Sequence, residues 1–200
     1  MVKTKKKIYF ITSISSIFLV YFLFQLRLKA ILILAPFILL TLFYVFPIAK
    51  FSLRERAGVK LFLLAISWAG ITVLFPLVQN YLLLRSVDYI TFLQRFLFVF
   101  AITIPFDIRD LKYDKPSLNT IPQVIGVKKS KYLAIIVLII FILLEVFKQL
   151  FFNFSFEPKI VFVFMLSVWL IYKASVDRNK YYTSFFVEAI PIFWYLLLYF

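Results

Sequence analysis

The chain has 200 residues, of which 64% are hydrophobic and 16% are charged, and its formal net charge is +14. That composition leaves too little polar surface to cover a soluble globule, so it excludes an ordinary soluble domain and predicts a polytopic membrane protein. The absence of Cys and His excludes disulfides, thiolate chemistry and His-based zinc or acid–base sites. In a membrane protein, the positive charge reports orientation rather than affinity for nucleic acid, and we expect no nucleic-acid partner.

Apolar segments alternate with short charged connections along the whole chain. Each segment is close to the ~20 residues that a helix needs to cross a bilayer. The basic head before the first segment is not followed by a small-residue cleavage site, which predicts a retained span rather than a signal peptide. The sequence therefore predicts an all-α transmembrane bundle of about seven spans, forming a single domain over residues 1–200. The predicted spans are residues 8–26, 28–49, 61–84, 90–106, 132–152, 160–174 and 181–200.

Lysine and arginine are distributed unevenly between the two ends of these spans. Most of the 23 basic residues fall in the N-terminal head and in the connections that share its side of the membrane. The positive-inside rule then places the N-terminus in the cytoplasm and the C-terminus outside. The high content of Lys, Phe and Ile is compatible with an AT-rich bacterial gene, and we expect an integral protein of a bacterial inner membrane.

Acidic residues are rare, and Asp107, Asp110 and Asp114 cluster directly after the fourth predicted span. If that helix continues, their spacing places all three carboxylates on one face. The helix macrodipole disfavours negative charge at this end, and the carboxylates also repel one another. A Mg²⁺ ion, which prefers carboxylate oxygens and often binds together with phosphate, would remove both penalties. The pattern predicts a magnesium site.

A second interpretation of this segment needs no metal. Arg109, Lys112 and Lys115 alternate with the aspartates and could neutralise them locally in a solvated loop. The same basic side chains could instead contact phosphate. On the same predicted membrane face, Lys50, Arg54 and Arg56 could also bind phosphate, although any cytoplasmic loop is expected to carry such charges.

The aspartate segment resembles a motif of a known family. Asp107-Ile-Arg-Asp110-Leu-Lys-Tyr-Asp114, followed by Thr120-Ile121-Pro122 and Val124-Ile125-Gly126, is similar to the second aspartate-rich motif of the UbiA superfamily of intramembrane prenyltransferases. A weaker similarity covers Tyr44-Val-Phe-Pro47 with its basic loop, and Ala65-Ile-Ser-Trp68-Ala-Gly70.

The resemblance implies a function and a set of site residues. It implies Mg²⁺ bound by Asp107, Asp110 and Asp114, and a polyprenyl diphosphate whose prenyl group is transferred to an apolar acceptor within the lipid bilayer. No catalytic residue is identified beyond these ligands. The expected diphosphate contacts are Lys50, Arg54, Arg56, Arg109 and Lys112.

The chain also departs from the family pattern. Members are usually nine-helix bundles with a first motif of the type Asn-Asp-x-x-Asp, which has no counterpart here, and the seven predicted spans match the family's third to ninth helices. A non-catalytic membrane protein that keeps the fold without the chemistry is therefore the alternative. A small transporter that uses the intramembrane acids Glu145 and Glu188 is a further one.

Overall fold

The described part of the protein is helical. A computed structural model defines residues 2–45, 58–179 and 181–199, and these contain helices and short turns with no strand. The α-helices are α1 (Val2–Gln25), α2 (Leu28–Val45), α3 (Val59–Ala69), α4 (Phe75–Gln79), α5 (Ser86–Asp110), α6 (Ile121–Ile125), α7 (Val127–Phe152), α8 (Lys159–Lys173) and α9 (Ala189–Tyr199). A π-helical turn, Gly70–Leu74, joins α3 to α4, and a second, Tyr182–Val187, precedes α9.

Each predicted span contains helix, so the all-α prediction is confirmed, although the helix of the third span ends at Gln79 rather than at residue 84. Residues 46–49 of the second span and residue 200 of the last lie outside the described ranges. Among the described residues, three stretches are long and apolar enough to cross a membrane, namely Val59–Gln79, Ser86–Asp110 and Val127–Phe152. Large apolar side chains also point outward along most helices. Both features are compatible with a membrane protein.

Helix α5 lies at the centre of the bundle and packs most extensively against α7 and α3. Its inner face carries Phe98, whose ring lies 5.5 Å from that of Phe141 on α7 and 4.9 Å from that of Trp194 on α9. Both phenylalanine rings pack edge-to-face against Trp194, which adds to the stabilisation from burial. These three rings fix the positions of α5, α7 and α9 relative to one another.

Helix α2 approaches the π-helical turn closely at Gly70. A Cβ atom at position 70 would lie 2.3 Å from ring atoms of Phe37 on α2, so only glycine leaves room for that ring. Phe37 is itself buried. The small residue therefore allows α2 to pack directly against the bend between α3 and α4.

A buried polar network connects α5 to α7. Lys148 Nζ lies 2.7 Å from Glu145 Oε2, and Gln94 donates hydrogen bonds to the same oxygen and to the Phe141 carbonyl. All three polar side chains are buried. Because each charge has a partner, the network satisfies groups whose isolated burial would be costly.

Candidate functional site

A cavity of about 390 Å³ lies between α3, the C-terminal half of α5 and the start of α9. Its charged residues come from the first turn of α3, the last turn of α5 and the residue just before α9, whereas most of its apolar side chains come from later turns of α3 and earlier turns of α5. The apolar part is lined by Leu61, Leu64, Trp68, Val99, Ile102, Phe106, Val187 and Pro191, and the charged part by Lys60, Asp107, Arg109, Asp110 and Glu188. An apolar pocket with a few converging charged groups is the usual form of a small-molecule site.

Asp107 is held at this cavity by the packing of α5. Its side chain is only 2% exposed, and Oδ1 lies 3.5 Å from Lys60 Nζ. The other carboxylate oxygen is buried and has no hydrogen-bond partner within the described part of the chain. An unpartnered buried oxygen is uncommon in folded proteins. Asp107 therefore has one oxygen available for a cation or a hydrogen-bond donor.

Asp110 forms a two-pronged ion pair with its neighbour Arg109. The distances are 2.6 Å from Arg109 Nε to Oδ1 and 2.9 Å from the terminal nitrogen Nη2 to Oδ2. Arg109 Nη1 also donates to the hydroxyls of Thr183 and Ser184 in the π-helical turn before α9. The guanidinium thus links the aspartate segment to the last helix, and it lies where an anion in the cavity could contact it.

The third aspartate does not share a helical face with the other two, because α5 ends at Asp110. The Asp114 amide still donates to the Asp110 carbonyl at 2.9 Å, which closes a single turn. Pro116 follows, and it lacks an amide hydrogen and pushes Lys115 into an extended conformation (φ −61°, ψ 140°). The condition for placing all three carboxylates on one face, a helix that continues through Asp114, is therefore not met. One carboxylate oxygen of Asp114 is buried and has no partner among the described residues.

Gln123 holds the loop that follows. It accepts a hydrogen bond from the Thr120 amide at 2.9 Å and donates to the Lys115 carbonyl at 3.2 Å. Its side chain thereby ties the start of α6 to the residues just after Asp114. Thr120 immediately precedes the first residue of α6, so the segment Thr120-Ile121-Pro122 places the Thr120 amide where Gln123 can accept its hydrogen bond.

The predicted basic contacts have different outcomes. Lys112 forms an exposed ion pair with Asp177, between α8 and α9, and this hydrogen bond raises the pKa of the Lys112 ammonium. Lys112 does not line the cavity, whereas Arg109 lines it. Lys50, Arg54 and Arg56 lie outside the described residues.

The donor set fits a divalent cation in part. Asp107 and Asp114 each have a buried carboxylate oxygen without a hydrogen-bond partner within the described ranges, and hard oxygen donors are what Mg²⁺ prefers. Asp110 uses both of its oxygens on Arg109. Among the described side chains, no group of three acidic residues lies close enough to hold a metal ion. Asp107 lines the cavity, whereas Asp114 does not, so a cation in the cavity would meet the free oxygen of Asp107 first.

Two cavity residues were not predicted as part of the site. Lys60 begins α3 on the same predicted face as the aspartates, but its pairing with Asp107 depends on how α3 and α5 pack. Glu188 was noted in the sequence only as an intramembrane acid; the structure places it on the cavity wall, where it interacts electrostatically with Arg109. For both, the available signal was a charge at or inside an apolar segment.

Comparison of the chain with protein-family models, with curated proteins and with solved structures gives no match.

Proposed function

We propose that the protein is a UbiA-like intramembrane prenyltransferase, which binds a polyprenyl diphosphate and transfers its prenyl group to an apolar acceptor. One observation carries the proposal: Asp107, Asp110, Lys60 and Arg109 gather at the charged end of an otherwise apolar cavity. A polyprenyl diphosphate has the same division, with a highly charged head and a long apolar chain. A diphosphate binds together with a cation, so its site needs acidic groups for the cation and basic groups for the phosphate oxygens.

The proposed membrane arrangement has seven spans, with the N-terminus in the cytoplasm and the C-terminus outside, in a bacterial inner membrane. It is supported by the helices at all seven predicted positions and by the uneven distribution of basic residues. In this arrangement the start of α3 and the end of α5 share the cytoplasmic face. The cavity would then open toward the side where soluble Mg²⁺ is present.

Asp107 and Asp114 would hold Mg²⁺ through their unpartnered oxygens, with Asp110 nearby. When bound, the ion would neutralise charge on the departing diphosphate. Lys60 and Arg109 would bind diphosphate oxygens and orient the head. The apolar wall formed by Leu64, Trp68, Ile102 and Phe106 would hold the first isoprene units and exclude water. Lys50, Arg54 and Arg56 would add further diphosphate contacts, and Lys112 would do so only after leaving Asp177.

Turnover tests the proposal. The purified full chain, reconstituted with a bacterial lipid extract as the source of acceptors, is incubated with labelled geranylgeranyl diphosphate. We expect a labelled, solvent-extractable product and released diphosphate with Mg²⁺, and neither with a chelator. The variant Asp107→Asn should lose this activity at least tenfold, whereas Glu157→Gln, which removes an acid remote from the cavity, should keep it. Product formation without Mg²⁺, or by Asp107→Asn at the wild-type rate, would overturn the proposal.

The second candidate is a non-catalytic membrane protein with the same fold. It is favoured by the lack of an Asn-Asp-x-x-Asp motif in the sequence. It predicts binding of the diphosphate lipid without turnover, or no binding. Turnover with Mg²⁺ would exclude it.

A further inference from the structure

The C-terminal end of α8 is capped by side chains from other elements. The last carbonyls of a helix have no partner within the helix and carry the negative end of its macrodipole. Here each of the final four accepts a hydrogen bond. The donors are Tyr182 Oη to Leu170 at 2.6 Å, the Ala174 amide to Ile171 at 3.2 Å, Lys131 Nζ to Tyr172 at 2.9 Å and Arg178 Nε to Lys173 at 3.0 Å.

Two of these donors are cations that repel each other. Lys131, in the first turns of α7, and Arg178, in the connection after α8, interact electrostatically with like sign. Neither forms an ion pair with a carboxylate in the described part of the chain. Asp177, the acid next to Arg178, is engaged by Lys112. The helix carbonyls supply only partial negative charge, so the pair keeps a net positive charge and unused N–H groups.

Three exposed tyrosines are neighbours of this pair along the chain or through a hydrogen bond. Tyr132 is adjacent to Lys131, Tyr172 carries the carbonyl that Lys131 contacts, and Tyr181 follows the Arg178 connection; their side chains are 66%, 67% and 75% exposed. Tyrosine is enriched at the depth of the lipid headgroups, because its ring is apolar and its hydroxyl is polar. The tyrosines therefore indicate that Lys131 and Arg178, whose guanidinium lies over the Tyr182 ring, are at the membrane–water interface.

We propose that Lys131 and Arg178 bind the phosphate of an anionic phospholipid headgroup at the junction of α7, α8 and the following connection. A phosphate oxygen would accept hydrogen bonds from the free N–H groups of both side chains and would remove their mutual repulsion. Clustered basic side chains between helices on a cytoplasmic face are suited to anionic headgroups. Neither residue lines the cavity, so this site is independent of prenyl transfer.

Native mass spectrometry of the full chain in detergent tests the site. The protein is titrated with phosphatidylglycerol, with phosphatidylcholine and with inorganic phosphate. Lys131→Gln and Arg178→Gln are made singly and together, because a glutamine amide can still donate to the α8 carbonyls while lacking the charge. The matched control, Lys129→Gln, removes a positive charge from the same end of α7 without touching α8.

We expect the wild-type protein to prefer phosphatidylglycerol to phosphatidylcholine, and the double variant to bind phosphatidylglycerol about tenfold more weakly, which equals ~1.4 kcal/mol. Lys129→Gln should keep the preference, and Arg178→Lys should retain part of it. Three outcomes would overturn the proposal: an unchanged preference in the double variant, an equal loss in Lys129→Gln, or inorganic phosphate that displaces the lipid at similar concentrations. The last would identify a soluble phosphate as the ligand.

Discussion

Lys60 Nζ, in the first turn of α3, lies 3.5 Å from Asp107 Oδ1, in the last turn of α5. The lysine is half exposed, whereas the aspartate is almost fully buried. The pair therefore serves two purposes: it partly compensates a buried carboxylate, and it places a cation beside the aspartate at the mouth of the cavity.

Removing the lysine should destabilise the protein through the aspartate. Lys60→Met should lower the free energy of unfolding by about 1–3 kcal/mol, the usual cost of a buried polar group that loses its partner. Asp107→Asn in the same protein should recover most of that loss, because no buried charge is then left. Thermal unfolding in detergent of the single and double variants measures the coupling. Equal, additive losses would show that the two side chains do not interact.

The buried pair in the middle of the bundle should be more sensitive. Lys148→Met leaves Glu145 buried beside Gln94 without a cation, and we expect a loss of about 3–5 kcal/mol. The double variant Lys148→Met with Glu145→Leu should be much closer to wild type. Lys128→Met, an exposed lysine on the same helix, is the control and should change the unfolding temperature little. A mild effect of Lys148→Met would argue against the buried network.

Gly70 should tolerate no side chain. Gly70→Ala would place a methyl group 2.3 Å from the Phe37 ring, and overpacking of this kind costs about 1–3 kcal/mol. Phe37→Ala opens the space, so the combined variant should lose less than the sum of the two changes. The free energy of unfolding of all three variants decides this. Additive effects would contradict the close packing of α2 on the α3–α4 bend.

The topology can be tested directly because the chain has no cysteine. With single cysteines, Lys115→Cys and Ser175→Cys should react with a membrane-impermeant maleimide only after the cells are opened. Ser155→Cys and Leu83→Cys, the latter in the segment that follows the end of α4 at Gln79, should react in intact cells. All four side chains are exposed in the structure. Labelling of Lys115→Cys in intact cells would contradict the seven-span arrangement with a cytoplasmic N-terminus.

Local features could be predicted from the sequence, whereas contacts between helices could not. Apolar segments of about span length predicted the helices. The ion pair of Glu145 and Lys148 is also local, because a three-residue separation places both side chains on one helical face. The bond between Gln94 and Glu145 joins residues 51 positions apart. It depends on how α5 and α7 rotate against each other, which short-range periodicity does not encode.

At the candidate site, too, the local features of the aspartate segment could be predicted from the sequence and its contacts with other helices could not. Its position at the end of a span was predicted, but the end of α5 at Asp110 was not, although Pro116 was a signal that a helix could not run far beyond it. The partners of the carboxylates depend on tertiary packing. Lys60 comes from α3, and the hydroxyls bound by Arg109 come from the turn before α9.

Binding of geranylgeranyl diphosphate to the purified full chain is the most direct test of the central claim. We expect binding that requires Mg²⁺ and is lost when Asp107, Asp110 and Asp114 are all replaced by Asn, with the unfolding temperature used to verify that the variant folds. Glu157→Gln should bind as the wild type does. Binding that persists without Mg²⁺, or that survives in the triple variant, would contradict the assignment of these aspartates to a magnesium–diphosphate site.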